Sequence, residues 1–275
     1  MALKLMYITN DPKIATIAEE SGVDWIFIDL EIKGKLERQG HLDTVISKHS
    51  VDDIKPIKSA LKKSKLLVRI NPVNNETIDE IDNVINEGAD IIMLPYFKTR
   101  DEVEVFINAV DSRAETCLLL ETPQAVVNVD DILDLKGIDY IHIGLNDLHL
   151  GFKMKFMFEL LADGTVEKLC NKFKKHNVTY GFGGIAQIGQ GTLPAERIIT
   201  EHHRLNSTMV ILSRTFFNQE NIKDYNIALK TFSEGIQKIR EFEQFLNKQQ
   251  EDYLTENKQI IDKAVKSIVN QIEAK

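Results

Sequence analysis

Thr116-Cys117-Leu118-Leu119-Leu120-Glu121 and, one amphipathic stretch later, Tyr140-Ile141-His142-Ile143-Gly144-Leu145-Asn146-Asp147 decide the reading of this chain. Each is a short apolar run that ends in an acid or just before one. Runs without polar alternation belong to strands covered on both faces, as in a parallel sheet flanked by helices. A parallel barrel carries its chemistry at the carboxyl ends of its strands, where they converge on one mouth. Glu121 and Asp147 would both be delivered there, and two carboxylates can share a divalent cation. Arg69, closing Leu66-Leu67-Val68-Arg69, arrives by the same route.

The same rhythm extends outward in both directions. Apolar runs at Leu3 to Ile8, Asp24 to Leu30, Lys65 to Ile70, Asp90 to Leu94, Thr179 to Phe182 and Thr208 to Leu212 read as further strands. Helical patterns lie between them, such as Glu76 to Glu87, stopped by Gly88, and Arg100 to Val110. Asp11-Pro12 has the residues of a helix start, a capping acid followed by a proline that forfeits no needed donor. Eight or nine such strands in 275 residues fit an α/β fold of the (β/α)8 (TIM) barrel type. An open doubly wound sheet fits less well, because the first strand lacks a glycine-rich dinucleotide turn. The expected organisation is a barrel over residues 1–217 and a C-terminal helical extension over 218–275. In that extension Phe232, Ile236, Ile239, Phe242 and Phe245, then Ile261, Val265, Ile268 and Ile272, recur at helical spacing. Such helices serve as an oligomerisation arm or as a cover for the outside of the barrel.

The bulk numbers exclude several classes. A net charge of −8 argues against nucleic acid as partner, because phosphate binding needs concentrated positive surface. No apolar run approaches the roughly 20 residues of a membrane span, and no signal peptide is visible, so a cytoplasmic protein is expected. The two cysteines, Cys117 and Cys170, read as buried free thiols.

Further candidates cluster around the predicted strand ends. Asp29 and Glu31, in Phe27-Ile28-Asp29-Leu30-Glu31, share one face by period-two alternation. Either could orient a base, reach a metal through water, or anchor Arg69. Arg69 itself could be a structural ion-pair partner or could hold a substrate oxygen and stabilise an enolate. Glu121 and Asp147 could merely cap following helices, although two acids on neighbouring strand ends repel unless a cation joins them. A polar insertion, Glu31 to Asp53, carries His41 and His49, either of which could supply a base near neutrality. His142, within a strand, reads as a satisfied interior residue. Gly181-Phe182-Gly183-Gly184, with Gly189 and Gly191, follows a late strand, where phosphate loops occur, or allows close backbone approach.

These segments, together with Leu67-Val68-Arg69-Ile70-Asn71 and Leu119-Leu120-Glu121-Thr122-Pro123, resemble the HpcH/HpaI aldolase and citrate lyase beta-subunit family, in the family's order, over roughly residues 3 to 215. The resemblance implies a divalent-metal-dependent barrel (Mg²⁺ or Mn²⁺) that makes or breaks carbon–carbon bonds through an enolate. It implies Glu121 and Asp147 as metal ligands, Arg69 on the enolate oxygen, and Gly144 and Asn146 beside the substrate. It also implies homo-oligomers joined through C-terminal helices. Family aldolases commonly place a histidine directly after the Asp-x-Glu stretch; here that position is Ile32.

The expected function is a metal-dependent carbon–carbon lyase of the aldolase type, acting on a 2-oxo acid such as pyruvate or oxaloacetate. One alternative is a citrate-lyase-beta-like enzyme on an acyl-CoA or dicarboxylate, for which Lys33 and Lys35 are the nearby cations. Another is a non-catalytic barrel serving as an assembly subunit.

Overall fold

The computed structural model describes residues 2–34, 48–214, 216–218 and 224–274. In chain order the elements are β1 (Lys4–Ile8), α1 (Pro12–Glu20), β2 (Trp25–Asp29), α2 (Ile54–Ala60), β3 (Lys65–Arg69) and α3 (Thr77–Asn86). They continue with β4 (Ile91–Leu94), α4 (Arg100–Val110), β5 (Glu115–Leu120), α5 (Pro123–Val127), α6 (Val129–Leu133) and β6 (Tyr140–Ile143). Next come α7 (Leu145–Gly151), α8 (Glu159–Ala162), α9 (Thr165–Lys175), β7 (Thr179–Ile185), α10 (Ala195–Arg204) and β8 (Met209–Leu212). Two long helices, α11 (Tyr225–Leu246) and α12 (Glu251–Glu273), end the chain.

The strands pair in sequence order, all parallel, and β8 returns to β1, so the sheet closes. This is the expected (β/α)8 barrel. Alternation then divides each strand between two cores. Met6, Trp25, Phe27, Leu67, Met93 and Cys117 fill the interior, while residues such as Ile26, Val68, Ile92, Leu118 and Ile141 pack outward against the helices. Both faces are buried, which is why these strands read as unbroken apolar runs. Local signals set the helix starts. Asp11 accepts from the Lys13 and Ile14 amides ahead of Pro12, and Thr99 with Glu102 forms a reciprocal cap on α4.

β7 departs from expectation. The strand runs on through the glycine cluster to Ile185, so these glycines belong to the sheet and not to a phosphate loop. At Gly181 a Cβ would lie 2.2 Å from the Met209 carbonyl oxygen, and the register shifts between Gly181 and Gly184. Only a residue without a side chain lets β8 approach there.

The helical extension covers its own barrel. α11 packs on α1 and α10, and α12 on α10 and α8. Phe232, Ile236 and Ile239 are buried in the outer core. Two polar ties fix these helices. The Glu243 carboxylate, 5% exposed, accepts from the Leu3 amide at 2.7 Å and from Arg240 at 2.9 Å. Asn257 of α12 donates to the Arg197 carbonyl and to buried Glu201 of α10, each at 3.1 Å. Among the described residues no helix is long and apolar enough to cross a membrane. Glu243→Leu strands the Leu3 amide and one Arg240 contact in a buried setting. It should lower the unfolding free energy by about 1–3 kcal/mol, read as a reduced urea midpoint with an unchanged slope.

Candidate functional site

The carboxyl ends of the strands gather a set of buried charges. Asp29 and Arg69 end adjacent strands in direct register. Arg69 therefore grips Asp29 side-on, Nε to Oδ1 and Nη2 to Oδ2, both at 2.8 Å. Glu31, two residues along the same face, brings Oε2 to 3.4 Å from Arg69 Nε. Burial opposes the guanidinium charge. Asp29, then Glu31 and at longer range Glu121, more than restore it, so Arg69 stays protonated at any working pH.

On the other wall, Glu121 follows β5. It is not the cap of the next helix, because Thr122 takes that role by accepting from the Ala125 amide. Its Oε1 accepts from the Tyr96 amide at 3.1 Å. A Cβ built on Gly144 would lie 2.7 Å from its Oε2, so the first residue after β6 must be glycine for the carboxylate to lie where it does. Asp147 stands in the first turn of α7, and its side chain does not cap that helix. Asn146, beside it, is half-buried. Tyr96 was not legible as a site residue. Its φ of 51° is a left-handed conformation that costs a bulky residue about 1–3 kcal/mol. The one available signal was its place just past an apolar strand, in Leu94-Pro95-Tyr96.

The mouth thus holds Asp29, Glu31, Glu121 and Asp147, exposed by 2%, 1%, 4% and 8%, around the largely buried Arg69 guanidinium. Among the described residues no cluster of three or more His, Cys, Asp or Glu side chains forms a closed metal cage. His49 reaches the rim, where its Nδ1 accepts from the Asp29 amide at 3.1 Å. His41 and Lys35 lie outside the described residues. Ile32 and Lys33 are pinned on the Asn71 side chain through their amides, each at 3.0 Å. Lys33 Nζ is held by Asn74 and Glu76. Of the two cations expected beside coenzyme phosphates, Lys33 is thus paired at the surface with Glu76.

A closed parallel barrel with an arginine and several acids at its carboxyl-end mouth defines a class of enzyme folds whose chemistry sits at that mouth. The chain belongs to the HpcH/HpaI aldolase/citrate lyase family, whose model matches residues 4–158. That family is one of aldolases and lyases. The fold is also similar to the HpcH/HpaI aldolase from Desulfitobacterium hafniense DCB-2, at 16% identity and a TM-score of 0.60, covering 77% of this chain and 86% of that one. A family protein from Burkholderia cenocepacia J2315 matches at 12% identity and a TM-score of 0.62, covering 83% and 94%. Citrate synthase SbnG matches at 18% and 0.60, covering 84% and 92%. No curated protein sequence matches the chain.

Below the mouth, His142 points into the barrel, but it is not fully satisfied as expected. Its Nε2 donates to the Gly183 carbonyl at 3.0 Å, while Nδ1 is buried without a hydrogen-bond partner. Burial pushes its pKa down to about 4, against a smaller upward pull from the Gly183 contact. His202, stacked on Phe182 outside the sheet, is lowered in the same direction by burial and then by His142. The unfolded chain binds the proton near pH 6.5 and the folded chain only near 4. The stability contribution is therefore full above about pH 6.5 and is lost as pH falls toward 4. His142 alone should remove about 2 kcal/mol between pH 7.5 and 5. The loss should shrink by about that amount in His142→Gln, measured by urea unfolding at both pH values.

Proposed function

We propose that the chain is a divalent-metal-dependent carbon–carbon lyase of the aldolase type, acting on a 2-oxo acid such as pyruvate or oxaloacetate through an enolate. One observation carries this reading: the mouth gathers four buried carboxylates, Asp29, Glu31, Glu121 and Asp147, beside the largely buried guanidinium of Arg69. Surroundings so rich in carboxylate oxygen suit a hard divalent cation. Glu121 and Asp147 fit that role as a two-carboxylate, all-oxygen site of the kind Mg²⁺ and Mn²⁺ accept, with positions left for water and substrate. When bound, the cation supplies Lewis-acid charge opposite the substrate's carboxylate and ketone oxygens.

The chain's own residues do the rest. Arg69, permanently charged and clamped by Asp29, presents fixed donors toward the oxygen on which negative charge develops. Asp29 has both oxygens committed to that clamp, which makes it a positioning residue and a poor base. Glu31 sits beside the same guanidinium. Gly144 leaves Glu121 its place and Tyr96 orients it, and in this reading half-buried Asn146, next to Asp147, contacts substrate. Exposed Ile227, Leu229 and Phe245 on α11 support self-assembly through the helical extension. A cytoplasmic setting, with the free thiols of Cys117 and Cys170 kept reduced, belongs to the same reading.

Deuterium exchange into the pyruvate methyl group, followed by NMR, tests the proposal. Exchange should require Mg²⁺ or Mn²⁺, stop with chelator, and fall at least about 100-fold in Glu121→Gln/Asp147→Asn. No exchange with any divalent metal would sink it. Gly144→Ala, which pushes a methyl group against Glu121, should keep the fold and weaken Mn²⁺ binding by about 10- to 100-fold in calorimetry.

A further inference from the structure

Every amide from Asp29 to Lys33 has an acceptor, and together these bonds decide where one acid stands. The Asp29 amide donates to His49 Nδ1, that of Leu30 to the Arg69 carbonyl and that of Glu31 to Asp29 Oδ1. The next two, of Ile32 and Lys33, end on one atom, Asn71 Oδ1, each at 3.0 Å. Glu31 thus lies between a strand end and a pair of amides caught by a single side chain. Its carboxylate is buried and reaches to 3.4 Å from Arg69 Nε. Ile32 is 56% exposed, so apolar burial does not hold the chain there.

Asn71 can hold both amides because it is itself held. It stands two residues beyond Arg69, the last residue of β3. The amide of Ile70, between them, is tied to the Met93 carbonyl at 3.1 Å. Asn71 Nδ2 and its backbone amide both donate to Oε1 of Glu80, in α3, at 2.8 and 3.1 Å. A side-chain amide has a donor end and an acceptor end. Glu80 takes the donor end, which turns Oδ1 toward the loop. Burial pushes the Glu80 carboxyl up, against the two Asn71 hydrogen bonds and Lys33. β3 therefore carries both the guanidinium and the clamp that delivers its second acid, and α3 braces the clamp.

We propose that Asn71, with Glu80 behind it, is a positioning residue of the mouth: it holds the backbone beyond Glu31 so that this carboxylate stays against Arg69. The assignment rests on the enolate reading above, in which Arg69 meets the developing charge. Asp29 grips the guanidinium along its Nε–Nη2 edge, and Glu31 is the second acid beside Nε. Without Asn71, two amides lose their acceptor, the chain after Glu31 loosens, and the guanidinium is left to Asp29 alone. A shift of about 1 Å in such a group can cost about 100-fold in rate. None of this requires Asn71 or Glu80 to touch substrate.

Swapping charge within the pair separates this role from simple stabilisation. In Asn71→Asp the side chain keeps an oxygen for the loop amides, loses its donor, and sets a second carboxylate against Glu80. The two acids then need a shared proton. The other charges near Glu80 are Lys33 and Glu76, which pair with each other. In pyruvate methyl exchange, kcat of Asn71→Asp should fall about 30-fold at pH 8 with KM within about threefold. Relative to wild type it should recover about tenfold at pH 6. Adding Glu80→Gln returns a donor to the pair, so the double variant should regain about tenfold at pH 8 and lose the pH dependence. In Asn71→Ala the Ile32 and Lys33 amides should exchange with deuterated solvent at least about tenfold faster than in wild type. Asn71→Ala at the wild-type kcat, Asn71→Asp with the wild-type pH profile, or a double variant no better than the single overturns the assignment. So does unchanged exchange of the two amides. A wild type that exchanges no pyruvate proton brings down the enolate reading and with it the role given to Glu31, while amide exchange still tells whether Asn71 holds the loop.

Discussion

The side-on grip of Arg69 on Asp29 is the interaction around which the mouth is organised. It exists because β2 and β3 pair in register to their last residues, so the two side chains leave the sheet together. Neither charge could be buried alone without a penalty of several kcal/mol. Glu31 joins the pair at 3.4 Å from Arg69, and Glu121 and Asp147 are buried at the same end of the barrel. The barrel thus concentrates negative charge at one end while its interior remains apolar.

The walls of the mouth are held by backbone as much as by side chains. Tyr96 adopts a left-handed conformation and gives its amide to Glu121. Asn71 catches two consecutive amides after Glu31, and His49 takes the amide at the end of β2. The His49 contact satisfies the last amide of β2, and the others satisfy amides of the loops that follow β4 and β2. The same contacts fix the orientation of the acids and of the imidazole, so the hydrogen-bond requirements of a closed sheet and the geometry of the site are met by one set of bonds.

The outside of the barrel depends on the chain's last two helices. Glu243 receives the amide of Leu3, and Asn257 bridges to α10, so the end of the chain completes the packing around its beginning. The extension shields apolar surface on the barrel and also exposes apolar residues of its own along α11.

The sequence alone determined the fold class, because strands buried on both faces leave unbroken apolar runs and helices leave a 3.6-residue period. It also placed Arg69 and Asp29 at strand ends and Glu121, Glu31 and Asp147 just past them, since the end of an apolar run is a local property. It could not tell that the glycines of β7 make room for Met209, because that clash lies across the sheet. Nor could it tell that Thr122 caps α5 and leaves Glu121 to the mouth. The contacts of Tyr96 with Glu121 and of His49 with the Asp29 amide were invisible for the same reason. Both join segments far apart in sequence, and only the tertiary structure decides which side chain meets which amide.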